Sequence, residues 1–313
     1  MIDLSRHHFE ALRNDNEFIL YRGQREKDVS RVLVLAPAAH YPGPESLQRL
    51  EHAYSFREEL DPGWAARPIG LARHWDRTVL VLEDPGGKPL DQFLGLAPES
   101  SHALALRSLG EGGLAPVGDL AFGLRIAINL ANVIGQLHQR GIVHKDVKPA
   151  NVLVNSTGQV WLMGFSMASR LPRERQPPEP PEFIAGTLAY MAPEQTGRMN
   201  RSIDSRSDLY SLGVTLYQMV TGSLPFTAID PTEWVHCHVA RQPEPPGQRA
   251  QGIPKAVSAI IMKLLAKTAE ERYQTAGGVE NDLRRCLDEY LRSSGVTGVQ
   301  EKIPEFPLGQ HDT

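Results

Sequence analysis

The apolar periodicity of this chain changes character near Asp119, and that change limits the possible folds more than any other feature. Before it, short apolar or alternating runs at 18–21, 32–35 and 78–82 are separated by polar turns, the period-two signature of an antiparallel sheet. One helical stretch interrupts them: residues 45–60 carry Leu47, Leu50, Tyr54 and Leu60 at helical spacing and stop at Asp61, Pro62 and Gly63. After it, long amphipathic stretches follow one another at 119–140, 207–221, 257–266 and 277–293. Strands first and helices afterwards predict an α+β chain. A small sheet lobe with one helix occupies 8–83, a connection 84–86, and a larger helical lobe 87–293. The 313 residues suit one domain of two lobes, with 294–313, which holds Pro304 and Pro307, as a tail or linker. Residues 95–118 read as a loop-rich insertion and 170–181, with five prolines, as an extended surface segment.

Composition removes several function classes. A net charge of -4 and a pI near 6.3 leave no basic footprint for nucleic acid or an anionic membrane. The two cysteines, Cys237 and Cys286, are too few for a stapled secreted domain, and no apolar run has signal-peptide or membrane-spanning length. These features predict a cytoplasmic protein with neither nucleic-acid nor membrane partners.

The chemistry-bearing string is Gly141, Ile142, Val143, His144, Lys145, Asp146, Val147, Lys148, Pro149, Ala150, Asn151. It resembles the catalytic loop of protein kinases, a His-Arg-Asp pattern followed five residues later by Asn. Further landmarks follow in that family's order: Gly186 and Thr187, then Met191 to Glu194, Asp208 to Gly213, Leu224 to Phe226, and Arg272 with Tyr273. The resemblance runs from about Phe9 to Leu291 and implies the bilobal kinase fold. It also assigns roles. Asp146 would orient a substrate hydroxyl, Lys148 would meet the transferred phosphate, and Asn151 would bind magnesium. Thr187 would lie in the activation segment. His144, Phe165, Glu194, Asp208 and Arg272 would be structural, Glu194 and Arg272 as a buried ion pair and Asp208 as a tie to the catalytic-loop backbone.

Against that pattern the phosphate and metal positions are altered. Where the family has Asp-Phe-Gly, this chain has Gly164, Phe165 and Ser166, so the magnesium carboxylate is missing and Asn151 is the one retained ligand. Arg13, Asp15 and Phe18 stand at the three positions of the glycine-rich loop, and Asp15 and Glu17 add negative charge beside a triphosphate. Leu33 replaces the small residue over adenine and Leu35 the phosphate-pairing lysine. Ala53 takes the place of that lysine's glutamate partner, with Glu51 the nearest acid. Leu82 matches the gatekeeper, and Glu83, Asp84 and Pro85 match the hinge. His236, Cys237 and His238 lack a second metal cluster and read as helix surface and core.

These departures predict a pseudokinase: a scaffold or allosteric regulator with weak or absent ATP binding and no cofactor. The alternative is an active serine/threonine kinase that transfers the γ-phosphate of ATP to protein through an atypical site with ATP and Mg. The chain is most similar to the kinase-like domain at the N-terminus of bacterial multidomain sensors, in which an ATPase and a histidine kinase follow. Residues 170–174 and 305–312 carry that closer likeness, which implies protein partners or covalently following signalling domains.

Overall fold

The computed structural model describes residues 2–15, 17–25, 30–96, 119–170, 187–198, 201–296 and 306–312. Most of the 95–118 insertion and of the proline-rich 170–181 segment lie outside the described residues. Five antiparallel strands build the small lobe: β1 (His7–Asn14), β2 (Phe18–Arg25), β3 (Arg31–Pro37), β4 (Pro68–His74) and β5 (Arg77–Glu83). Their spatial order is β1-β2-β3-β5-β4. Alternation along β3 and β5 sorts side chains onto two faces. Leu33, Leu80 and Leu82, with the partly buried Leu35, join the main core on the side of α1 (Pro44–Tyr54), while Val34, Ala36, Val79 and Val81 pack with Leu4 and Ala72 on the other side. Both faces of β5 are therefore covered, which is why 78–82 reads as one continuous apolar run.

Helix α1 starts with Pro44 in its first turn and buries Leu50 and Ala53. It ends at Tyr54, before the sequence pattern does; Phe56 and Leu60 stay in the core from the turns that follow.

The connection after β5 leads through β6 (Lys88–Pro89) to the short α2 (Leu90–Phe93). The large lobe is organised by α3 (Leu120–Gln139), whose first turn is capped by the Asp119 carboxylate accepting from the Ala121 amide at 3.0 Å. Among the described residues α3 is long and apolar enough to cross a membrane by length and composition, yet 61% of that stretch is buried inside the domain. The longer helices that follow are α4 (Ser205–Thr221), α5 (Pro231–Val239), α6 (Lys255–Leu264) and α7 (Ala276–Val296), with one short turn of helix at Pro246–Arg249. Short strands β7 (Ile142–Val143), β8 (Val152–Val154), β9 (Val160–Leu162) and β10 (Ser169–Arg170) frame the loops between α3 and α4. Strands β6, β8 and β9 form one small sheet and β7 with β10 another, and this places the loops 144–151 and 163–168 directly below the small lobe.

Candidate active site

The loop between β7 and β8 is held from beneath by one buried carboxylate. Asp208, in the first turn of α4, accepts from the amides of His144 and Lys145, each at 2.8 Å, and from His138 Nε2 at 2.9 Å. Burial drives this carboxyl upward, but the His138 hydrogen bond and the neighbouring amide outweigh that and keep it below the ordinary carboxylate value. The tie matters because Lys145 has φ of 68°, a left-handed conformation that a non-glycine residue keeps only when its surroundings fix it. His144 is fully buried, and burial lowers its pKa. As a neutral ring it accepts from the Asp146 amide at Nδ1 (3.2 Å) and donates from Nε2 to the Met163 carbonyl (3.0 Å). Its edge meets Phe165 at 4.9 Å, and Phe165 lies 6.5 Å from Phe56, so a line of rings crosses from the large lobe to the small one.

Above that support Asp146, Lys148, Asn151 and Thr187 converge. The Lys148 ammonium donates to the Thr187 hydroxyl and stands 3.7 Å from Asp146 Oδ2, while the Thr187 amide reaches Asp146 Oδ1 at 3.4 Å. Asn151 Nδ2 donates to both the main-chain carbonyl and Oδ2 of Asp146, each at 2.8 Å.

The remaining face of Asn151 is taken from the small lobe. At the end of β1, the Arg13 guanidinium donates through Nη1 to Asn151 Oδ1 at 2.9 Å and to the Ala150 carbonyl at 2.6 Å. Its Nη2 pairs with Asp15 at 3.1 Å. Asp15 also closes its own turn by accepting from the amide of Phe18 at 2.7 Å, and Glu17 pairs with Arg49 of α1. The acids expected to repel a triphosphate are thus spent on arginines of this chain. On the other flank, Gln92 of α2 donates to the Leu12 carbonyl. The β1–β2 hairpin is fastened to the 144–151 loop, to α1 and to α2.

Gly164 sits under Asn151 with φ of 86°, and a Cβ there would lie 2.6 Å from the Asn151 side chain. The position has no carboxylate and no room for one unless Asn151 moves. Magnesium wants several anionic oxygens in near-octahedral geometry. Here one amide oxygen, already accepting from a guanidinium, is what Asn151 offers, with the half-buried Ser166 beyond it. The donor set does not fit the ion.

Toward the connection between the lobes the lining is apolar. Leu33 opposes Leu82 across the β3–β5 ladder and is fully buried, and one apolar cluster runs from Leu12, Leu20, Leu33 and Leu82 to Leu90 and Leu153 of the large lobe. Leu35 is partly buried against it. On α1, Ala53 lies in the same core and Glu51 is exposed. Between the lobes, Glu83 pairs with Arg67 at 2.6 Å, and Asp84 receives a forked pair from Arg22 at 2.7 and 3.0 Å. Arg22 also donates to the Gly87 carbonyl at 2.9 Å, with Pro85 in the turn between.

Below the activation segment, Glu194 and Arg272 form a two-pronged ion pair at 2.7 and 2.9 Å, both buried. The other Arg272 donors go to the carbonyls of Ala266, Arg206 and Lys267. Such a pair is costly to break, because either partner alone would be a stranded charge. His236 is exposed on α5, whereas Cys237 and His238 are buried. Among the described residues no group of three or more His, Cys, Asp or Glu could hold a metal ion.

Sequence reasoning did not anticipate three contacts. Arg13 appeared there only as a lost glycine, although a long cation at that position can reach where glycine cannot. Arg22 gave no signal, since its partner Asp84 is 62 residues away. His52, beside Ala53 on α1, bonds the Ala168 carbonyl through Nε2 at 2.7 Å and ties that helix to the segment after Ser166.

Comparison with known proteins gives the family. The protein kinase domain model matches residues 123–282. Serine/threonine-protein kinase PknB of Mycobacterium tuberculosis is 40% identical over 148 residues, which are 47% of this chain and 23% of that protein. Serine/threonine-protein kinase PksC of Streptomyces coelicolor is 35% identical over 179 residues, 56% of this chain and 32% of the relative. Serine/threonine-protein kinase Pkn1 of Myxococcus xanthus is 30% identical over 311 residues, 92% of this chain and 40% of the relative. The matched regions thus span less than half the length of these relatives.

Proposed function

We propose, from the premise that this chain belongs to the protein kinase family, that it is a pseudokinase domain whose cleft is sealed in cis and which acts in the cytoplasm as a scaffold or allosteric signalling module. The observation that carries this reading is the Arg13 guanidinium on Asn151 Oδ1: the charge that a metal would bring to the one retained ligand comes from the chain itself. The absent carboxylate at Gly164 and the apolar residues at Leu33 and Leu35 support the same conclusion. Its partners are other proteins or signalling domains on the same polypeptide.

A second reading has its own support. Asp146, Lys148 and Thr187 are arranged as phosphoryl transfer to a hydroxyl would need, and the relatives bear the names of serine/threonine kinases. On that reading the hairpin lifts, ATP enters, and a protein hydroxyl is phosphorylated.

A thermal-shift titration with Mg-ATP or Mn-ATP, joined to a radiolabel transfer assay, separates the two. A ligand at about 100 times its dissociation constant stabilises a fold by about 2.7 kcal/mol. The pseudokinase reading expects no such shift and equal background label in wild type and Asp146→Ala. A clear shift with label that disappears in Asp146→Ala establishes the second reading.

A further inference from the structure

Residues 306–312 lie against the foot of the helical lobe, and their contacts are those of a built site. The Asp312 carboxylate accepts from the amides of Gln274 and Thr275, each at 2.7 Å, and from the Thr275 hydroxyl at 2.9 Å, just ahead of the first turn of α7. A carboxylate is favoured there, because the leading amides of a helix have no partners of their own and carry partial positive charge. The first turn makes space for it: a Cβ on Gly278 would come within 2.6 Å of Asp312 Oδ1. A glycine there is unfavourable for a helix, so its presence has a reason in the approach of Asp312.

The rest of the segment is gripped as well. The Phe306 ring lies 4.1 Å beneath the Arg285 guanidinium, and Phe306 and Leu308 pack on the main core. Gly309, with φ of 74°, turns its amide onto Asp282 Oδ2 at 2.8 Å.

These contacts lead back to the activation segment. Asp282 is buried, and the same oxygen accepts from the Tyr273 hydroxyl at 2.6 Å. Asp312 grips Gln274 and Thr275; Asp282 holds Tyr273; next to Tyr273 is Arg272, whose guanidinium is locked on Glu194. One short stretch, 272–275, is therefore shared between the tail contacts and the support of residues 187–196.

We propose that residues 306–312 are a docking strap for this site, and that its seating braces the 272–275 stretch and through Arg272 the activation segment. The strap is recognised by an aromatic ring under an arginine, a glycine whose amide faces a buried carboxylate, and an aspartate at a helix start. Release of the strap loosens the segment beside Thr187 without any ligand in the cleft.

Hydrogen exchange of the whole chain tests this with two variants that act from opposite sides. Asp312→Ala removes the anion, and Gly278→Ala blocks its approach while adding a better helix former. Both should raise the exchange rate of the Gln274, Thr275 and Gly309 amides at least tenfold and also raise exchange across 187–196. Asp312→Asn, which keeps one carbonyl acceptor, should fall between. Unchanged protection at 274–275 in both variants overturns the strap. Loosening at 274–275 with no response at 187–196 overturns the brace.

Discussion

At the scale of single residues, the proposed function rests on Gly164 and Arg13. Gly164 has a left-handed φ and lies under Asn151, so restoring an aspartate meets both backbone strain and a 2.6 Å contact. Gly164→Asp should therefore cost about 2–5 kcal/mol, the sum of a left-handed penalty of about 1–2 and overpacking of about 1–3, in denaturant unfolding. It should not confer a magnesium-dependent thermal shift. If the variant is as stable as wild type and gains a metal response, Asn151 yields more easily than its two hydrogen bonds to Asp146 suggest. Arg13 sets a separate condition. Leu33→Ala with Leu35→Lys reopens the purine side and returns an ammonium, but the guanidinium on Asn151 stays. Nucleotide stabilisation should thus need Arg13→Gly in addition. A Leu33/Leu35 pair that shifts as far with ATP as the triple variant would sink the assignment of Arg13 as the plug.

At the scale of elements, the β1–β2 hairpin is held at several points, and its ties differ in strength. The Glu17–Arg49 pair joins two side chains that are each about a third exposed, with relative accessibilities of 39% and 30%. Such a pair contributes about 0–1 kcal/mol and weakens as salt rises. Arg49→Ala should leave global stability almost unchanged yet raise amide exchange at Phe18 and the neighbouring turn. The same rise should appear in wild type when ionic strength is increased. Equal exchange with and without Arg49 would mean that the Arg13 and Gln92 contacts alone hold the hairpin. This hairpin also marks where sequence reading stopped. The helical half was legible because α3, α4, α6 and α7 bury continuous or one-sided apolar faces, and β3 and β5 because both of their faces are covered. Strands β1 and β4 were not singled out as apolar runs, since each is an edge strand with one neighbour; β1 buries Leu12 as its one core side chain. The order of the family landmarks carried the catalytic loop, but long-range arginine contacts leave no periodicity. The forks of Arg13 on Asn151 and Arg22 on Asp84 depend on how two lobes close.

At the scale of the whole molecule, two buried imidazoles make stability depend on pH in a definite direction. His144 is fully buried, and burial lowers its pKa. His238 is pushed down to about 3 by burial and by nearby Lys267; it accepts from the Tyr210 hydroxyl at 2.9 Å among the rings of Phe226 and Trp234. Below about pH 6.5, the ordinary histidine value, the unfolded chain takes up a proton more readily at each position than the folded chain does. The unfolded state then binds more protons, so stability rises with pH through this window and is lost on acidification. His238 approaches a slope of about 1.4 kcal/mol per pH unit, and His144 adds in the same direction. Asp208 is different: its lowered pKa gives stability that is present above the unfolded carboxyl value, about 3.9, and is lost only as pH falls below it. Between about pH 6.5 and 5, then, the histidines dominate over Asp208. Urea unfolding across that window should show stability falling steadily, and His238→Phe should flatten the slope by close to one group's share even though it lowers stability at neutral pH. Parallel slopes in wild type and His238→Phe would mean that His238 gains its proton in the folded chain as readily as in the unfolded one, and that the Tyr210 contact opens before the fold does.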